Sequence, residues 1–146
     1  MHHLRSLVFR VVAPCLALLL LLGGLSETEV RAESDPTLGD VMAVVEHLRL
    51  QVPRESRDQW MAAERGSWEP WLNQQPGFMG RDLFWDPVTE EGMLLIRWSS
   101  RKTWKSISMT EVETVQERFE TLARELTGQH QGNPFPLVFE GELLPQ

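Results

Sequence analysis

Glu46 has the most unusual chemical setting in this chain. It interrupts a strand-like pattern in which Met42, Val44, Leu48, Leu50 and Val52 share one side, and an unpaired charge in apolar surroundings is expensive. Structurally, Glu46 pairs with an arginine such as Arg97 across a sheet, or it faces the rim of the fold. Functionally, it is a proton acceptor or the anchor for a ligand's polar group, because perturbed carboxylates gather at functional sites. Pairing is the expectation, since buried charges usually have partners.

The other reactive residue types give weaker patterns. His47 and His130 have no metal-ligand spacing with each other or with an acid cluster, so no metal site is expected. Trp68, Trp71, Trp85, Trp98 and Trp104 are many tryptophans for this length. Core or dimer packing is their expected role, and lining an aromatic pocket is the alternative. Arg97, Arg101, Lys102 and Lys105 gather near one strand-helix junction; they read as a solvated helix start, with an anionic ligand as the other option. Asp58, Glu64 and Glu69 read as a solvent face or local pairs. There is no phosphate-cradling glycine loop, no Gly-x-Ser-x-Gly elbow and no serine–histidine–acid set. The candidate ligand-binding residues are Glu46, His47, Trp68, Arg97 and Trp98, with no catalytic residue assigned and no cofactor expected.

The elements that must hold these residues follow from hydropathy. An alternating run from Val41 to Val52 reads as a strand ended by Pro53. A helix-like stretch from Arg54 to Trp68 carries Trp60, Glu64, Trp68 and Trp71 along one edge, and Pro70 should break or kink it near Trp68. Phe78–Trp85 and Met93–Trp98 read as strands joined by a hairpin loop through Asp86-Pro87 and Glu90-Glu91-Gly92. In them Met79, Leu83 and Trp85 oppose Phe78 and Phe84, while Leu94, Ile96 and Trp98 oppose Met93 and Leu95. Both faces are apolar, so the second should be at least partly covered. Ser99 or Ser100 could cap a short turn over Arg101–Ile107. Thr110 with Glu113 makes a capping-box pattern for a helix over Glu111–Leu126, stopped by Gly128. A last strand runs from Leu137 to Leu144. The order is β-α-β-β-α-β, an α+β pattern.

The chain is 146 residues long and its first 32 should lie outside this fold. Arg5 and Arg10 precede an apolar stretch from Val11 to Leu25, and Val30-Arg31-Ala32 fits a signal peptidase site. The stretch is shorter than the roughly 20 residues of a spanning helix, so a cleaved signal is expected rather than an anchor. Residues 33–40 read as a flexible lead-in and 41–146 as one domain. Export to a periplasm, thylakoid lumen or extracellular space follows, with no membrane association after cleavage. The single cysteine, Cys15, would leave with the signal, which removes disulfides and thiolate chemistry. The remainder carries 11 basic and 19 acidic residues, a balance that repels nucleic acid.

The block from Ile96 to Trp104, with Val45-Glu46, Trp68 and Pro70, Pro76-Gly77-Phe78, Trp85 and Glu117-Arg118-Phe119, resembles an uncharacterised family of small cyanobacterial proteins. More broadly it resembles the dimeric α+β barrel superfamily, which includes antibiotic-biosynthesis and haem-degrading monooxygenases. The resemblance implies a ferredoxin-like fold: a four-stranded antiparallel sheet with two helices on one face and a second copy closing a barrel on the other. Activity is not implied. Haem-degrading members combine a first-strand asparagine, a tryptophan ending the third strand and a histidine on the following helix. Trp98 matches the tryptophan, but there is no first-strand asparagine and no histidine between Arg101 and Leu126. Two functions are therefore expected: a ligand-binding or structural homodimer holding a small apolar or aromatic ligand, or a cofactor-independent monooxygenase-like enzyme with Glu46 or His47 as base.

Overall fold

The computed structural model describes residues 41–146. The expected signal, its cleavage site and the lead-in lie outside the described residues. Four strands, β1 (Val44–Gln51), β2 (Phe78–Asp86), β3 (Glu91–Trp98) and β4 (Leu137–Leu143), form one sheet in the order β2-β3-β1-β4. Every pairing is antiparallel. Between them come helices α1 (Arg57–Gly66), α2 (Trp68–Leu72), α3 (Arg101–Lys105) and α4 (Met109–Thr127). This is the α+β arrangement expected from the order of elements, in the ferredoxin-like form that the resemblance implied.

The core lies between the helices and one sheet face. Val44, Leu50 and Val52 from β1 and its end meet Leu94, Ile96 and Trp98 from β3, Trp60 and Ala63 from α1, and Phe119 and Ala123 from α4. Alternation along β1 and β3 and three- and four-residue spacing along the helices place these residues together. Phe135, just before β4, is fully buried and stacks obliquely on Phe119 at 6.2 Å between ring centroids.

Local chemistry shifts several boundaries. The first helix breaks at Ser67 (φ −128°, ψ −75°), whose Oγ donates to the Ala63 carbonyl. Pro70 is then the third residue of α2, where its missing N–H has no helical partner to lose. Ser100, not Ser99, caps α3 by accepting from the Thr103 N–H at 3.1 Å. The capping box at Thr110 does not form: α4 starts at Met109 after Ser108, with no side-chain cap.

Alternation also fails at one place in β2. Phe78 lies opposite Trp98 but Gly80 lies opposite Arg97, so Met79 is an extra residue, a β-bulge. Gly80 takes φ +116° there, a conformation that suits glycine. Phe78 therefore turns onto the core face beside Trp98, and Met79 points to solvent, 60% exposed. This reverses the faces that strict alternation assigns to those two residues.

Candidate functional site

Glu46 projects from the third position of β1 toward the helix-covered side. Its neighbours across the ladders are Ile96 on β3 and Glu142 on β4. Trp98 comes from the end of β3, opposite Val44. Its Nε1 donates to the Glu46 Oε2 at 3.2 Å, and its ring is buried edge-on against Phe78 with centroids 5.8 Å apart. Glu46 itself is only partly buried.

Glu46 does not pair with Arg97, contrary to the expectation from sequence. Arg97 alternates with Ile96 and Trp98, so it points to the opposite sheet face, where it forms an ion pair with Asp82. The carboxyl of Glu46 is pushed up to about 7, first by burial and then by the charges of Glu140 and Glu142. The Trp98 hydrogen bond and Lys105 act in the other direction.

Glu142 behaves oppositely. Arg101 grips it with Nε at 2.9 Å from Oε2 and Nη2 at 3.2 Å from Oε1, and Lys105 Nζ lies 3.5 Å from Oε1. The Arg101 hydrogen bonds hold its carboxyl below the usual range. Two neighbouring carboxyls are thus driven apart, one ionised and one able to hold or release a proton near neutrality, as acid–base work requires. Arg97, Arg101 and Lys105 all have carboxylate partners. These three members of the positive cluster are therefore held in internal pairs.

The other sequence candidates do not join Glu46. Trp68 meets Trp71 edge-on, with centroids 5.5 Å apart, and packs against the core from α2. His47 faces the uncovered side of the sheet beside Phe139, centroid to centroid 4.9 Å. A polar groove of about 420 Å³ lies between the α2–β2 turn and the α3–α4 junction, lined by Gln74, Gln75, Pro76, Thr103, Ser106, Ile107 and Glu111. None of the sequence candidates lines it.

Sequence reasoning missed a second buried carboxylate. Glu64 on α1 is 1% exposed and forms a 2.5 Å ion pair with Arg81 on β2, instead of facing solvent or pairing locally. Burial raises its carboxyl, and the Arg81 charge and hydrogen bond pull it back. Its place on the Trp60, Trp68 and Trp71 edge was the available signal. Glu140, Glu142 and Lys105 gave no comparable signal, because only the β1–β4 register and the fold of α3 bring them to Glu46.

No family profile matches the sequence, and no curated protein is significantly similar to it. Solved structures do resemble the fold. A monooxygenase from Streptomyces coelicolor, determined in complex with the ligand nanaomycin D, is 12% identical. The match covers 72% of this chain and 88% of that one, with a TM-score of 0.53. A candidate antibiotic-biosynthesis monooxygenase from Chloroflexus aurantiacus is 15% identical over 71% of this chain and 93% of its own, with a TM-score of 0.45. A conserved protein from Methanosarcina mazei is 12% identical over 74% and 97%, with a TM-score of 0.44. At these identities the likeness concerns the fold alone, which the chain shares with the Streptomyces coelicolor protein.

Proposed function

We propose that this chain is an exported homodimeric α+β barrel domain that binds a small apolar or aromatic ligand and has no complete catalytic set. One observation carries this reading. The helices cover only one face of the sheet, yet the other face presents Phe84, Phe139 and Leu143 at 54%, 38% and 47% exposure, with Val45, Met93 and Leu95 partly buried among them. Leaving such side chains wet forgoes on the order of 2 kcal/mol each, and exposed apolar side chains gathered on one face mark an interface. A second copy meeting this face would close the barrel. Glu46 would anchor the ligand's polar group from the helix-covered side. The filled core around Trp60, Trp98, Phe119 and Phe135, each 0–1% exposed, supports packing as the role of the buried rings. Native mass spectrometry of the protein from its own host tests the assembly and the ligand together: twice the monomer mass with a retained small molecule is expected. A clean monomer at micromolar concentration would reject the barrel. A dimer that never carries a ligand would leave only the structural role.

The cofactor-independent enzyme is a second reading, favoured by the Glu46 carboxyl titrating near 7. It predicts oxygen uptake that follows Glu46 ionisation when nanaomycin D is offered as a probe. Uptake unchanged in Glu46→Gln would remove it.

A further inference from the structure

The uncovered sheet face holds two polar atoms without partners. His47 Nε2 and Arg49 Nε are buried and make no hydrogen bond, which is rare and calls for an explanation. Both side chains flank one ring: Phe139 lies 4.9 Å from the His47 ring and 4.9 Å from the Arg49 guanidinium carbon. Gly141, opposite His47 in the ladder, makes room for that ring, since a Cβ there would come within 2.8 Å of it.

The charges nearest His47 on this face are balanced within an acidic protein. Arg49 pairs with Glu91 at 3.3 Å, and Arg97 pairs with Asp82. Such a face can meet its own copy without net repulsion. This makes a second copy the occupant it fits. The charged groups on the His47 face are Arg49 on its own strand, Arg97 and Glu91 on β3, and Asp82 and, at the far end opposite Glu91, Asp86 on β2; β4 contributes only Phe139, Gly141 and Leu143. Glu91 and Asp82 each hold an arginine, and Asp86, four residues beyond Asp82 on β2, accepts from the Val88 and Thr89 N–H groups. A protonated His47 would find no free counter-charge and would sit beside Arg49.

We propose that dimerisation through this face is proton-gated, with a neutral His47 required for the closed interface. The inference rests on the homodimer proposed above. Neutral imidazole can be satisfied by hydrogen bonds alone, whereas imidazolium adds an unpaired cation to each half of a water-poor contact. The separated subunits then bind protons more readily than the dimer, so acid drives dissociation by linkage.

The test is sedimentation equilibrium of the full chain, expressed with its N-terminal segment and recovered after processing, at pH 8 and pH 5.5. The dissociation constant should rise by about tenfold or more on acidification, because each dimer carries two such imidazoles. His47→Gln, and separately His47→Phe, should remove the pH dependence, while Glu46→Gln, on the other side of the sheet, should keep it. A wild-type dimer equally tight at both pH values would overturn the gating but leave the dimer standing. Undiminished pH dependence in either folded His47 variant would overturn the assignment to His47. A monomer at both pH values would reject the dimer and the gating with it.

Discussion

Glu64 and Glu46 both lie on the helix-covered side of the sheet, and burial raises both carboxyls. Their surroundings differ in one respect. Glu64 has a guanidinium in contact, from an Arg81 side chain that is itself 6% exposed, and Glu69 approaches the same arginine at 3.3 Å. Glu46 has an indole N–H and two neighbouring carboxylates. The first arrangement fastens α1 and α2 to β2. The second leaves a carboxyl whose charge is not compensated in the resting protein. That is the physical difference between a buried acid that holds a fold together and one available to a ligand or a proton.

Removing the carboxyl's charge, or its partner, should separate the two sites. Arg81→Met strands Glu64 in the core and should cost about 3–5 kcal/mol in urea unfolding, whereas Glu64→Met with Arg81→Met should recover most of that loss. A single variant as stable as wild type would show that the pair carries no structural weight. Trp98→Ala should be nearly as damaging, about 3–5 kcal/mol for a fully buried ring. An unchanged midpoint with an intact dimer would instead make Trp98 a ligand contact.

Glu46→Gln should stabilise the protein at pH 8 by about 1–3 kcal/mol, because the charge it removes is disfavoured by its surroundings. The sign follows from the direction of the shift. With the folded value raised from 4.5 to about 7, the native state holds the proton more tightly than the unfolded chain. Stability from this group is fully present below pH 4.5 and is lost as pH rises through 7. Thermal melts from pH 4.5 to 8 should therefore slope downward in this respect for wild type and be flatter for Glu46→Gln. Equal slopes would mean that Glu46 is not the perturbed group. The smallest effect belongs to Trp98→Phe, which keeps most of the ring but deletes the donor. It should cost about 1 kcal/mol and move the Glu46 titration further upward in a carbon-13 NMR titration.

Much of this contrast was already legible in the order of residues. Glu46 stood out as a charge within an apolar alternation. Alternation also placed Arg97 on the side of β3 opposite Ile96 and Trp98, which argues against the Glu46–Arg97 pair expected from their types. For Glu64, the helical edge shared with Trp60, Trp68 and Trp71 pointed inward, and Arg81 falls in phase with Leu83 and Trp85 on β2. Residue type outweighed position in both cases. What could not be read was anything set by register: Glu142 beside Glu46, Gly141 beside His47, and the extra residue at Met79. These depend on how strands slide against one another, and a single strand's pattern does not encode that. The early start of α4 at Met109 shows a further limit, since a capping motif in sequence does not oblige the helix to use it.

The bulge at Met79 gives β2 a place where its length can change without altering which way the neighbouring side chains face. Phe78 and Gly80 oppose adjacent residues, Trp98 and Arg97, so excising Met79 would leave both opposite the same partners and only draw the preceding turn closer. A one-residue deletion in the middle of β3 has no such slack: it would turn Arg97 toward the core or push Ile96 and Trp98 out of it. Natural variants that differ in length within β2 should therefore gain or lose their residue at position 79, and comparisons that allow no gap there will misplace every residue before it by one.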